Sequence, residues 1–330
     1  MSERADPTVE IRRATHDDYD AVAAFTGEIW DDRGGDYIPD VYHDWIESDD
    51  LPKRTLVADA GDGIAGIAQC VLVTDREGWC QGMRVNPDYR GEGIALALSD
   101  ELFAWARNRG ATVARNMVFS WNEAGLGQSR AAGFAPATAF RWLHPEPDPT
   151  ADPNATAGSV RGTDADVTVV DDPAAAWRAF HGSDADRHLD GLALSLDESW
   201  ALCELTPAIL ERAAAETAVR TVVDDRGAVA TSFRTRTYDR KNDDGEVERW
   251  AEYGAAAWRD VDALRPLLAA IRADAAAVDA DRTRVLIPET PRHVSDGAYA
   301  RGGISEHLDF VMAADLTRLG EPADGDVSRR

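Results

Sequence analysis

Residues Arg90, Gly91, Gly93 and Ala95 sit between an apolar stretch that ends at Val85 and a run with helical periodicity. Pro87 stops the stretch, and the short segment Tyr89-Arg90-Gly91-Glu92-Gly93 opens into the helix carrying Ile94, Ala95 and Leu98. A loop of this kind leaves several backbone N–H groups unpaired and pointing the same way, at the positive end of the helix dipole. Such a place receives an anion, and its dimensions suit a pyrophosphate. Gly91 and Gly93 leave room for phosphate oxygens against the backbone, so a side chain at Gly93 is expected to clash with the anion. A phosphate-binding loop of the nucleotide hydrolases would need Gly-Lys-Ser/Thr at its end, and none is present. A dinucleotide fingerprint would need three glycines and an acidic residue about twenty positions on. Only two glycines stand here.

The elements around the loop follow from the pattern. Ile94, Leu98, Leu102, Trp105 and Ala106 recur at helical spacing, and Gly110 closes the helix. A strand is expected from Thr112 to Trp121, then Asn122, then Gly133-Phe134. Upstream, Thr8 to Ala14 reads as a strand. A helix running from Asp17 to Trp30 and a second one over Pro39 to Glu47 come next. Two strands, Thr55 to Ala60 and Ile64 to Thr74, join at Gly61-Asp62-Gly63. Glu77 to Val85 and Phe140 to Leu143 complete the set, in the order β, α, α, β, β, β, α, β, α, β.

The spacing Arg/Gln-x-x-Gly-x-Gly/Ala after a Val-x-Pro strand end, with Asn122 eleven positions before Gly133-Phe134, resembles the acyl-CoA-binding signature of the GNAT acetyltransferase superfamily. The resemblance implies an α/β (α+β) fold, a mixed, mostly antiparallel central sheet flanked by helices. It also implies acetyl-CoA as co-substrate, transfer of the acetyl group directly to an amine, and no metal. The backbone of Met83, Arg84 and Val85 would pair with the pantetheine arm and polarise the thioester carbonyl. The N–H groups across Arg90, Gly91, Glu92, Gly93, Ile94 and Ala95 would hold the pyrophosphate. Asn122 either contacts pantetheine or caps the following helix.

Acyl transfer to an amine also needs a base for the ammonium and, less urgently, an acid for a thiolate whose pKa is about 8.5. Many members of the superfamily carry a tyrosine four residues before the Gly-Phe glycine. Ser129 stands there, so tyrosine-type protonation is in doubt, and Ser129 is a weak catalytic candidate. Glu28, near the end of the first helix, is the matching weak candidate for the base. Glu77, Gln81 and His43 are alternatives, each more readily read as a solvated surface group than as a base, and a water chain could serve. Cys80 reads as an inert half-buried thiol rather than a nucleophile. His181 and His188, with Asp184 and Asp186 between them, are not expected to bind metal. A non-catalytic acyl-CoA-binding or regulatory module is the competing function.

The chain has 330 residues, enough for two domains. The first is expected over residues 1–145 and a Pro/Asp-rich linker over 146–163. A second, degenerate copy of the same fold spans 164–318, and a disordered tail 319–330. In the second copy Ala174 to Phe180, Leu196 to Ala215 and Val261 to Val278 read as helices. Val219 to Asp224, Val229 to Tyr238, Val247 to Trp258, Val285 to Ile287 and His307 to Ala313 read as strands. Arg259-Asp260-Val261-Asp262 replaces the glycine loop there, and its aspartates would repel a pyrophosphate. Tyr299 falls at the tyrosine position as a remnant or a packed aromatic, and Arg301-Gly302-Gly303-Ile304 reads as a turn.

The net charge is −25, and Lys53 and Lys241 are the sole lysines. Dispersed acids, scarce lysine and abundant alanine point to a salty cytoplasm, as in halophilic archaea, rather than to steering of cationic substrates. At about 1 M salt the Debye length is only about 3 Å, so recognition would rest on short-range hydrogen bonds. Nucleic acid is excluded as a partner because phosphate contacts need a basic face. No long apolar run or hydrophobic leader is seen, so no membrane association is expected. Cys70, Cys80 and Cys203 read as reduced cytoplasmic thiols. The acceptor is a small-molecule or peptide amine, and a homodimer is compatible with the chain.

Overall fold

The structure is a computed structural model. It describes residues 9–27, 29, 35–47, 52–152, 167–242 and 244–318. Glu28, most of the expected linker and the expected tail lie outside the described residues.

The first copy runs β1 (Glu10–Arg13), α1 (Tyr19–Thr26), α2 (Ile38–Glu47), β2 (Lys53–Asp59), β3 (Ile64–Thr74), β4 (Glu77–Val85), α3 (Ile94–Arg107), β5 (Val113–Phe119), α4 (Glu123–Ala131) and β6 (Ala135–Leu143). The element order is the expected one. α1 is shorter than its apolar spacing implied: a 3₁₀ turn over His16–Asp18 precedes it, and it ends at Thr26. The second copy runs β7 (Thr168–Val170), α5 (Pro173–Phe180), α6 (Asp184–Leu189), β8 (Leu192–Leu194), β9 (Leu202–Glu204), α7 (Pro207–Glu216), β10 (Ala218–Asp224), β11 (Gly227–Lys241), β12 (Val247–Tyr253), β13 (Ala257–Trp258), α8 (Val261–Ala277), β14 (Arg282–Pro288), α9 (Pro291–Tyr299) and β15 (Asp309–Asp315).

Two expectations for the second copy fail. Leu196 to Ala215 is not one helix: β9 occupies its middle, paired with β8, and α7 begins only at Pro207. Thr206 accepts the Ile209 N–H and Pro207 takes the first helical position, which is a strong local start. Val247 to Trp258 breaks at Gly254, where a Cβ would fall 2.3 Å from the Phe233 ring, and β13 then pairs with β11.

The chain forms two compact units that do not follow the sequence in order. One comprises Met1–Asn116, Ala124–Pro136 and Met312–Arg330, the other Met117–Glu123 and Ala137–Val311. The first unit has the strand sequence β1-β2-β3-β4-β5, antiparallel except for the parallel β4–β5 pair. The C-terminal part of β15 belongs to this unit, where the Leu316 N–H donates to the Thr112 carbonyl. The second unit has the order β6-β14-β12-β11-β10-β7, antiparallel except for the parallel β12–β14 pair. Most of β6, the last strand of the first copy, belongs here, so each copy gives its final strand to the other copy's unit. Each unit is a mixed, mostly antiparallel sheet flanked by helices, as expected.

Packing in the first unit fixes the helix behind the loop. Ile94, Leu98, Leu102, Phe103 and Trp105 of α3 are buried, and the helix packs on β2, β3 and β4. Each such side chain contributes about 1.5–3 kcal/mol by leaving water. In the second unit the β12–β14 pair is built around a buried charge. Arg284 is 3% exposed, its Nε donates to Glu252 Oε2 at 2.5 Å, and its guanidinium lies 4.0 Å from the Trp200 ring centre and 4.9 Å from that of Trp142. Glu252 also accepts from Arg236 and Thr235, so the buried carboxylate is fully engaged.

Beside this cluster Asp309 is 4% exposed and accepts the Trp142 indole N–H at 3.2 Å. Burial pushes its pKa up to about 6 despite that hydrogen bond and the nearby Arg284 and Arg141. A carboxyl whose folded pKa exceeds its unfolded one stabilises the protein fully below the unfolded value and loses that contribution as pH rises through the folded value. Between about pH 3 and pH 7 the wild type should therefore lose about 3 kcal/mol that Asp309→Asn does not, about 2 kcal/mol of it between pH 4 and 6. Paired thermal melts at several pH values measure the difference; parallel curves would show that Asp309 titrates normally.

Candidate active site

The loop singled out in the sequence is held at both ends. Asn86 donates its side-chain N–H to the Ile64 carbonyl at 3.3 Å and accepts the Asp88 N–H, which sets the 3₁₀ turn Pro87–Tyr89. The Tyr89 hydroxyl donates to Asp62 at 2.8 Å and ties the turn to the β2–β3 hairpin. Gly91 (φ +87°) and Gly93 (φ +77°) then adopt left-handed backbone, and α3 starts. Leu96 and Ala97 are the first N–H groups to donate to Gly93, and the helix has no side-chain cap. Among the described residues the N–H groups of Gly91, Glu92, Gly93, Ile94 and Ala95 reach no acceptor, the arrangement an anion site requires. A Cβ on Gly91 or Gly93 would meet nothing within 4 Å, so the protein itself constrains these positions through φ and not through space. Arg90 is exposed at the mouth of the loop.

The strand leading into the loop is bent. Among the described residues, β4 and β5 are paired only from Glu77↔Val113 to Trp79↔Arg115. On its other edge β4 pairs with β3, but Gly82 and Met83 together face Ala68 in a bulge. Gly82 has φ +63°, and a Cβ there would fall 2.2 Å from Trp45. Bulge and divergence leave Met83, Arg84 and Val85 half-buried, with their β5-side edge past the end of the shared ladder. The Arg84 guanidinium pairs with Asp36, ahead of α2, donates to the Met83 carbonyl at 3.0 Å, and lies 5.7 Å from the Tyr37 ring centre. Its side chain thus ties down α2, and only its backbone is offered at the strand edge.

A small cleft opens beside this strand end, lined by residues that include Gln69, Cys80, Gln81, Met83, Asn116 and Phe134. Gln81 donates to Gln69 Oε1 at 2.8 Å, and Gln69 donates to Thr55. Cys80 lies across from the buried Cys70 in register. The hydrogen bond to Cys80, together with burial, holds the Cys70 thiol well above its ordinary pKa.

The other residues named from the sequence are scattered. Glu77 is buried at the far end of β4, paired with Arg115 and accepting from Thr74. His43 stacks on Tyr19 and shares a 2.9 Å Nδ1–Nδ1 contact with His16. Ser129 is 1% exposed and accepts a hydrogen bond from Asn116 at 3.0 Å. Asn122 precedes α4 and belongs to the second unit. His188 contacts the Ala139 carbonyl, His181 faces Asp186, and Asp184 pairs with Arg187 and Arg292, so the four do not converge. Tyr299 is 59% exposed under the Arg265 guanidinium. The carbonyls of Gly302 and Gly303 both receive the His144 N–H, and Ile304 forms an isolated bridge to Leu143.

In the second unit the start of α8 is already filled. Asp260 caps it by accepting the Ala263 N–H at 2.9 Å, and Arg259 pairs with Asp224 and Asp260. Asn116 is a site residue that the sequence did not reveal. A single asparagine inside a strand carries no local signal, and only the fold places it beside Ser129 in the cleft.

The fold and this site define a class, a GNAT fold built twice in one chain. Residues 15–134 match the model of the acetyltransferase (GNAT) family. Comparison with curated proteins returns no match. Among solved structures the chain is similar to a GCN5-related N-acetyltransferase from Sphaerobacter thermophilus (TM-score 0.58, 13% identity, covering 93% of this chain and 96% of that one). It is likewise similar to an acetyltransferase-like protein from Thermoplasma acidophilum (0.53, 15%, covering 93% and 100%). A third is a tandem GNAT protein from the clavulanic acid biosynthesis pathway (0.53, 13%, covering 93% and 98%). At these identities the likeness is one of fold, and it extends over both copies.

Proposed function

We propose that the chain is an acetyl-CoA-dependent N-acyltransferase whose pyrophosphate loop and thioester-binding strand edge lie in the first unit. The observation that carries this reading is the set of unbonded N–H groups from Gly91 to Ala95 at the start of α3. The β5-side backbone edge of Met83–Val85, past the end of the β4–β5 ladder, would receive the pantetheine arm as an added strand and aim the thioester carbonyl at the cleft, with the Met83 carbonyl already held by Arg84. Arg90 would add charge at the diphosphate. The amine then attacks the thioester carbon, the C–S bond breaks, and CoA leaves as a thiolate that takes up the proton the amine gives away. Asn122 remains a candidate for the pantetheine arm, and Glu28 for the base.

The second copy, with Asp260 on its helix start, is proposed to bind no CoA and to complete the fold. The acid-rich surface would suit a concentrated-salt cytoplasm. Ser129 supports the alternative of a non-catalytic acyl-CoA binder, because its hydroxyl is buried and already engaged by Asn116. Release of free CoA from acetyl-CoA by the full chain, measured over a panel of small amines and peptides, separates the two. Amine-dependent release supports the enzyme; tight acetyl-CoA binding without release over the whole panel supports the binder.

A further inference from the structure

Among the described residues, the cleft lining contains one buried polar atom without a hydrogen-bond partner. Asn116 reaches it from β5, and its carboxamide is oriented by the hydrogen bond from Nδ2 to Ser129 Oγ at 3.0 Å. The other end of the amide, Oδ1, is buried and has no hydrogen-bond partner among the described residues. A buried carbonyl oxygen without a donor is costly, and protein interiors rarely keep one. Ser129 cannot supply the missing contact while it accepts from Nδ2, and it is itself 1% exposed, so the pair is locked. Met83 and Gln81 line the same cleft, at the strand end where the thioester is proposed to lie.

An amide oxygen only accepts, so whatever completes it must bring a donor. Both partners of the proposed reaction carry N–H groups: the pantetheine amides of the acyl donor and the acceptor amine. We infer that Asn116 Oδ1 accepts an N–H from the ligand filling this cleft, and that Ser129 is a positioning residue that aims it. Ser129 thereby takes a role unlike that of the acid its sequence position implied. The inference rests on the acyltransferase reading of the first unit.

The test uses the full chain and four variants, each first checked for an unchanged melt without ligand. Acetyl-CoA affinity is read by calorimetry and acceptor KM by CoA release. Asn116→Leu keeps the shape and removes the oxygen, and should weaken one of the two constants about 10-fold or more while sparing the other. Loss in the acetyl-CoA constant assigns the oxygen to pantetheine, and loss in KM assigns it to the amine. Asn116→Asp keeps an acceptor in place and should stay within about 3-fold of wild type. Ser129→Ala should shift the same constant in the same direction, and the double variant should be no worse than Asn116→Leu alone. Both constants within about 2-fold of wild type in Asn116→Leu would overturn the inference, as would an unchanged Ser129→Ala if the leucine variant does not fold. A wild type that ignores acetyl-CoA would instead sink the acyltransferase reading.

Discussion

Gly93→Asp is expected to abolish acetyl-CoA binding, a loss of at least about 100-fold or about 2.7 kcal/mol. The loop holds its anion mainly with backbone N–H groups and a helix dipole, beside Arg90, so a carboxylate at the same place both occupies the donors and repels the diphosphate. The fold should survive. No atom lies within 4 Å of the added Cβ, and aspartate is among the few residues that tolerate left-handed backbone. The second copy already shows this chemistry, with Asp260 closing the start of α8. Calorimetry on the folded variant reads the loss, and an affinity within a few-fold of wild type would remove the loop from the mechanism.

Cutting the chain after residue 150 is expected to destroy the first copy as well as remove the second. Met312–Arg330 belong to the first unit, where Leu316 is hydrogen-bonded to Thr112. The fragment would lose that strand and leave its β5 edge open. Its own last strand, β6, would in turn lose β14, to which Phe140, Arg141, Trp142 and Leu143 are paired. Phe140 and Leu143 are fully buried, and Trp142 is 5% exposed. Exposing three such side chains costs about 5–9 kcal/mol, comparable to the whole stability of a domain. The fragment should show no cooperative melt and should aggregate. A sharp transition in residues 1–150 would mean that the exchange of final strands is dispensable.

The parts of this protein that could be read from the sequence are those set by neighbouring residues. Pro87, the glycines after Tyr89 and the stripe from Ile94 to Ala106 announce a strand, a loop and a helix without help from the rest of the chain. Asp260 and Thr206–Pro207 are equally local, although the second lay hidden inside a run of apolar residues that spaced like one long helix. What could not be read depends on partners far along the chain. No residue within β6 or β15 says which sheet it will join, because either sheet satisfies an alternating strand. The Arg84–Asp36 pair and the orphaned oxygen of Asn116 exist only once strands and helices have been brought together. The bulge at Gly82 stood in plain view as a glycine, but its reason is the Trp45 ring from α2.

Titration of the intact chain with acetyl-CoA in a calorimeter, at a salt concentration where it is folded, tests the central claim most directly. The unbonded amides at the start of α3 and the filled start of α8 together predict one molecule bound per chain. No heat of binding, or two equivalents, would contradict the account.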